Sequence, residues 1–164
     1  MLLILALLLA GCRSNETSQA ALEAAPRPGA LAPDFSVPLL DDTQLSLTQL
    51  RGQPLILNFW ATWCAPCRRE MPRLEAINPE GRVDISLLAV NYGEAAETIS
   101  AYVNETDVTL PIVLDPDLAL ARTYLIYGMP TTFFIDAQGV VQAVHTGELT
   151  EDILRPLVAK IRSK

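Results

Sequence analysis

Polar and apolar positions divide this chain into a succession of short strands and helices. Leu55 to Trp60 is apolar except at Asn58, and so continuous a run predicts a strand buried on both faces. From Ala65 to Asn78 the apolar residues Met71, Leu74 and Ile77 recur at helical spacing and predict an inward stripe, with a kink at Pro72. Val83 to Asn91 predicts a second central strand, which makes strand, helix and strand a right-handed parallel unit. Glu94 to Asn104 reads as a helix with Ile99 and Val103 inward, Pro111 to Leu114 as a brief strand, and Leu118 to Tyr124 as a short helix. Thr131 to Ile135 and Val140 to His145, joined at Asp136-Ala137-Gln138-Gly139, predict an antiparallel hairpin. Thr150 to Ile161 closes the chain as a helix, with Thr150 as N-cap and Glu151 and Asp152 in the first turn. Nearer the N-terminus, Asp34 to Leu47 predicts a small hairpin turning at Asp41-Asp42, and Leu47 to Arg51 one helical turn closed by Gly52. The pattern as a whole specifies an α/β fold with a mixed sheet covered by helices on both faces.

The first residues obey none of these periods. Met1 to Ala10 is almost entirely Leu, Ile and Ala, too short for a spanning helix of about 20 residues and suited to the apolar region of a secretory signal. Leu9-Ala10-Gly11-Cys12 closes it and resembles a bacterial lipobox, which makes residues 1–11 a lipoprotein signal and Cys12 the lipidated first residue of the mature chain. No Lys or Arg precedes the apolar run, a departure from the usual signal. Arg13 to Ala32, rich in Ser, Asn, Gln, Ala, Glu and Pro, reads as a flexible tether. Residues 12–32 are thus expected to join the membrane to one globular domain at 33–164. Among 164 residues, 50% are hydrophobic and the formal net charge is −7, a balance that argues against nucleic acid as a partner. The one basic cluster, Arg68, Arg69 and Arg73, is expected to be a solvated helix face.

The chemistry lies where the first central strand meets its helix. Cys64-Ala65-Pro66-Cys67 places a cysteine at a helix N-terminus, where unpaired N–H groups and the positive end of the dipole favour a thiolate. Pro66 suits the first turn, whose N–H groups have no helical partner. Cys64 is therefore expected to be the exposed nucleophile and Cys67 the resolving thiol. Glu70 follows Cys67 by three residues and shares its face, within reach to accept that thiol's proton. A half zinc site is the competing reading, but a four-ligand site normally needs a second pair, and only Cys12 and His145 remain. A purely structural disulfide is another, though so short a loop restrains the unfolded chain little. If Cys12 carries lipid, the three cysteines resolve into one anchor and one redox pair.

Trp60-Ala61-Thr62-Trp63-Cys64-Ala65-Pro66-Cys67 resembles the active site of the thioredoxin superfamily. With Asn58-Phe59 before it and Arg68-Arg69-Glu70-Met71-Pro72 after it, the stretch is similar to the membrane-anchored, extracytoplasmic TlpA/ResA-like branch. The likeness extends over roughly Leu31 to Ile161. It implies a thioredoxin-like fold with an N-terminal hairpin and a central helix-strand insertion. It also implies a thiol–disulfide oxidoreductase that reduces client disulfides, as in cytochrome c maturation, and draws electrons from a membrane thiol donor. The protein would be a monomer on the extracytoplasmic face of a bacterial membrane, with the Cys64–Cys67 disulfide as its only redox group and no metal.

Gly128-Met129-Pro130-Thr131 matches the family's cis-proline loop, which implies a cis Pro130 beside the cysteines and a Met129 backbone that pairs with an extended substrate segment. Trp63 and Pro66 are expected on the substrate-facing surface, Trp60 in the core, and His145 in a structural or solvated position. The branch carries a functional glutamate where this chain has Glu70. Cytoplasmic thioredoxins carry a buried aspartate where this chain has Asn58, which cannot take a proton. Two other readings share parts of the pattern. A peroxiredoxin wants Pro and Thr where Leu57 and Ala61 stand, and a Sco-like copper chaperone uses CxxxC with a distal histidine.

Overall fold

A central strand without a polar face needs cover on both sides, and the chain supplies it in two packed layers. The computed structural model describes residues 22–77 and 84–163. The chain forms β1 (Ser36–Pro38), β2 (Gln44–Ser46), a 3₁₀ turn (Leu47–Leu50), β3 (Leu55–Trp60), α1 (Ala65–Glu75), β4 (Ser86–Tyr92), α2 (Ala96–Thr106), β5 (Ile112–Asp115), α3 (Ala119–Thr123), β6 (Thr131–Ile135), β7 (Val141–Thr146) and α4 (Glu151–Arg162). The main sheet runs β5-β4-β3-β6-β7, while β1 and β2 form a separate antiparallel pair. β4 and β5 run parallel to β3, and β6 and β7 complete the sheet antiparallel.

Each face has its own core. One gathers Ile56, Trp60, Met71, Leu74, Ile99, Phe134, Leu154 and Ile161 beneath α1, α2 and α4. The other gathers Leu55, Leu57, Phe59, Val90, Tyr124 and Phe133. Tyr124 is the hub of the second: its ring meets Phe35, Phe59 and Phe133, and its hydroxyl donates to the Pro33 carbonyl at 2.7 Å. Burial pushes its phenol well above the ordinary range. Asp115, at the end of β5, accepts from the Leu120 and Ala121 amides at 3.0 and 2.8 Å and so neutralises the start of α3. At the β6–β7 connection, Gly139 adopts φ +83° and Asp136 accepts from the Gln138 and Val140 amides, which fixes the predicted turn.

The expected architecture is present, with local corrections. α1 ends at Glu75, short of Asn78, which lies outside the described residues, as does Val83. On α2, which begins at Ala96 and not Glu94, Ile99 is buried and Val103, half-buried, packs against the same core; Tyr102 is a further buried residue that the pattern did not mark. Thr150 stands at the N-cap of α4 without a side-chain capping bond.

The largest correction concerns the tether. Its last third is docked: Ala30 and Ala32 are buried, and the backbone of 29–32 pairs with Gly139 and Val141. The Gly29 amide donates to Val141 O, the Val141 amide to Ala30 O and the Ala32 amide to Gly139 O, each at 2.9 Å. An edge strand offers a row of unpaired backbone groups, and this segment covers the first of them on β7. Small side chains without periodicity concealed that role in the sequence. Residues 1–21, with the signal and Cys12, lie outside the described residues. Among the described residues no helix is long and apolar enough to cross a membrane.

Candidate active site

β3 ends at Trp60, and the Cys64 amide donates back to the Ala61 carbonyl at 3.2 Å, so a single turn carries the chain into α1. Cys64 is the N-cap of α1 and Pro66 lies in its first turn. The two cysteines are joined in a disulfide, with Cα atoms 5.3 Å apart. The Cys67 amide donates to Cys64 Sγ at 3.4 Å, which places a helix-start N–H on the sulfur expected to carry charge. Cys64 is less exposed than the sequence suggested: in the disulfide it keeps 5% of its surface and Cys67 none. The sulfurs sit under the turn rather than on it, because the helix start packs directly onto the core.

Around this disulfide the predicted residues converge. Trp63 is 66% exposed and Trp60 fully buried against Tyr102, its ring centroid 5.2 Å away. The Met129–Pro130 bond is cis. β6 pairs Thr131 with Phe59, which puts Pro130 beside the end of β3 from which the Cys64 turn departs. Met129 is half-buried and packs against both cores. His145 stands on β7, opposite Thr132. Glu94 was not singled out by the sequence. Its carboxylate accepts from the Thr62 amide and hydroxyl and from Asn91 Nδ2, and so holds the active-site turn from the β4 side. Spacing offered no signal for it, since Thr62 and Glu94 meet only through the pairing of β3 with β4.

Glu70 lies one turn beyond Cys67 on the same buried face of α1, and none of it is exposed. Its Oε1 accepts from Asn58 Nδ2 and its Oε2 from the Leu149 amide, both at 2.7 Å. Asn58 Nδ2 also donates to Thr132 Oγ1 at 2.9 Å. Thus Asn58, unable to take a proton, instead orients the group that can. Burial raises Glu70 to about 7, against the two donated hydrogen bonds; Glu148 adds to the rise and Arg73 opposes it. The basic cluster is not simply solvated. Arg69 and Arg73 both pair with Glu148, at 2.6 and 3.1 Å, while Arg68 lies over the Tyr102 ring.

This carboxyl predicts a pH dependence of stability. The folded protein holds the Glu70 proton up to about pH 7, whereas an unperturbed glutamate releases it near 4.5. Between those values the native state binds more protons than the unfolded chain, so this group's contribution to stability is full below the lower value and falls as pH rises. The loss amounts to roughly 3 kcal/mol by pH 8. Denaturant titrations of wild type and Glu70→Gln from pH 4 to 8 check it: the difference between them should change over that window and stay flat outside it.

Residues 28–144 match the AhpC/TSA family. The thiol-disulfide oxidoreductase ResA of Geobacillus thermodenitrificans is 36% identical over 135 residues, covering 82% of this chain and 78% of that protein. Among solved structures, a putative thiol:disulfide interchange protein DsbE from Chlorobium tepidum superposes with a TM-score of 0.76 at 27% identity, covering 83% of this chain and 98% of that one. The exposed lipoprotein thioredoxin Etrx1 of Streptococcus pneumoniae gives a TM-score of 0.68 at 28% identity, covering 77% and 98%. A disulfide capping a helix, a cis-proline beside it and these relatives lead to one conclusion: the chain belongs to the thioredoxin-like AhpC/TSA family and is a thiol–disulfide oxidoreductase of the ResA/DsbE type.

Proposed function

We propose that the protein is a reductant of client disulfides on the extracytoplasmic face of a bacterial membrane, held there by lipid on Cys12 and serving cytochrome c maturation or a similar thiol-requiring assembly. The observation that carries the reductive direction is the buried Glu70 carboxyl on the Cys67 face of α1. An acid in that place disfavours thiolate at Cys67, which limits the stabilisation of the reduced form to the Cys64 thiolate and favours release of electrons. The nearby guanidinium groups do not offset this, since Arg68 is turned to Tyr102 and Arg69 to Glu148.

The Cys64 thiolate attacks one sulfur of a client disulfide; a Cys64–client bond forms, the client's S–S bond breaks, and the departing thiolate takes a proton. Cys67 then gives its proton to the Glu70 carboxylate and attacks Cys64 Sγ. The mixed disulfide breaks, the second client thiol leaves, and two electrons have passed from the dithiol to the client. A membrane thiol donor restores the dithiol. The client strand lies along Met129 by backbone pairing, with Trp63, Pro66 and cis Pro130 bounding its groove. The protein acts as a monomer and needs no other cofactor.

Equilibration with glutathione and with dithiothreitol measures the couple. It should fall nearer the about −270 mV of a thioredoxin than the about −120 mV of an oxidant such as DsbA; a value near the latter would reverse the direction. The location has its own test. Cys12→Ser should move the protein from the membrane to the soluble fraction while its reductase activity on a soluble disulfide stays intact, and a variant that remained membrane-bound would remove the lipid from the scheme. The name of one structural relative, an exposed lipoprotein, supports that anchoring.

A further inference from the structure

The turn between β7 and α4 is fastened to α1 by more bonds than packing alone requires. Arg69 Nε donates to Glu148 Oε2 at 2.8 Å. Arg73 Nη1 faces three acceptors: Arg69 O at 3.0 Å, Glu148 Oε1 at 3.1 Å and Leu149 O at 3.3 Å. Leu149 is fully buried, and its amide is the donor to Glu70 Oε2. One peptide segment is therefore gripped at its carbonyl by Arg73 and at its amide by Glu70, two side chains three positions apart on one helix.

We propose that Arg73 is a positioning residue for proton transfer at Cys67: by fastening the Glu148–Leu149 segment to α1 it fixes the Leu149 N–H on the Glu70 carboxylate and sets the pH at which Glu70 gives up its proton. The inference rests on the reading of Glu70 as the acceptor for Cys67.

The groups facing Glu70 make the sign unambiguous. From β3 comes Asn58, neutral, with Thr132 of β6 behind it; from the β7–α4 turn come the Leu149 amide and the Glu148 carboxylate; from α1 itself come Arg73 and, one turn back, the uncharged disulfide sulfur of Cys67. Of these, Arg73 is the cation that favours a charged Glu70, and it also neutralises Glu148, the anion that opposes one. Removing Arg73 takes away an attraction, leaves Glu148 neutralised by Arg69 alone and loosens the donor segment at the Leu149 carbonyl, and each change favours the protonated acid.

The test compares wild type, Arg73→Met and Arg73→Lys as full-length oxidised proteins. Carbon-13 NMR follows the Glu70 side-chain carboxyl through pH 4 to 9, with its signal assigned by loss in Glu70→Gln. Arg73→Met should raise the titration midpoint by about half a pH unit or more, and Arg73→Lys, which keeps the charge but not the forked donor, should fall between. The midpoint for resolution of a Cys64-linked mixed disulfide should move with it. A purely structural Arg73 would lower thermal stability at every pH and leave the carboxyl midpoint in place, and that result overturns the proposal. Failure of the Glu70 reading looks different: the midpoint would move in Arg73→Met, yet resolution would ignore both that change and Glu70→Gln.

Discussion

Cys67→Ser is expected to halt the reaction midway, with the protein accumulating as a covalent complex with its clients, whereas Cys64→Ser accumulates none. The asymmetry follows from position on α1. Cys64 is the N-cap, its sulfur receives the Cys67 amide, and it keeps the only accessible surface of the pair. Both the dipole and the unpaired N–H groups of the first turn stabilise its thiolate. Cys67, one turn in and fully buried, meets the sulfur of Cys64 itself and not a client in solution. Either substitution should remove turnover almost completely, on the order of 10³-fold or more, because nucleophile and resolving thiol act as a unit. Non-reducing electrophoresis of the two variants, followed by alkylation of the reduced wild type at neutral pH, decides the assignment. Preferential labelling of Cys67, or client complexes on the Cys64→Ser protein, would reverse it.

Glu70→Gln is expected to leave the first attack untouched and slow resolution of the mixed disulfide by roughly 10²–10⁴-fold, the usual range for loss of a general base. A carboxyl held near 7 is half-ionised at neutral pH and suits the exchange of a proton with a thiol. Rapid-quench measurement of the two steps separates them. In wild type the second step should accelerate as pH rises through Glu70's titration, with the thiol and the carboxyl titrating as a coupled pair. The glutamine variant should lose that inflection. Equal rates for both proteins at every pH would leave Cys67 to find its base in water. The substitution also changes the hydrogen bonding, since Glu70 accepts at both oxygens and a glutamine can accept at only one. A fold check by circular dichroism therefore accompanies the kinetics.

Much of this was readable in the residues. β3 and β6 agree in both limits with the hydrophobic pattern because apolar strands flanked by turn residues have few other ways to be buried. The CxxC and the proline loop announce themselves through residue types that little else requires. Three features escaped. Glu94 and Glu148 meet their partners across the sheet or between a loop and a helix, at separations that no local period encodes. Asn58 looked like a lost proton acceptor, and only the packing of α1 on β3 shows it donating to Glu70. The stretch 23–32 has the composition of a linker, yet backbone pairing to β7 needs no particular side chain and left no mark in hydropathy.

That pairing has a mechanical consequence. Val141 lies opposite Ile135, Ile135 opposite Leu55, and β3 runs from Leu55 away to Trp60, so the N-terminal segment fastens at one pole of the sheet and the disulfide stands at the other. The six residues of β3 separate the two by about 20 Å. Whatever holds the chain upstream holds the domain by its foot. The redox pair then stands at the end of the domain farthest from that attachment, and a pull on the chain upstream reaches it only through the length of the sheet.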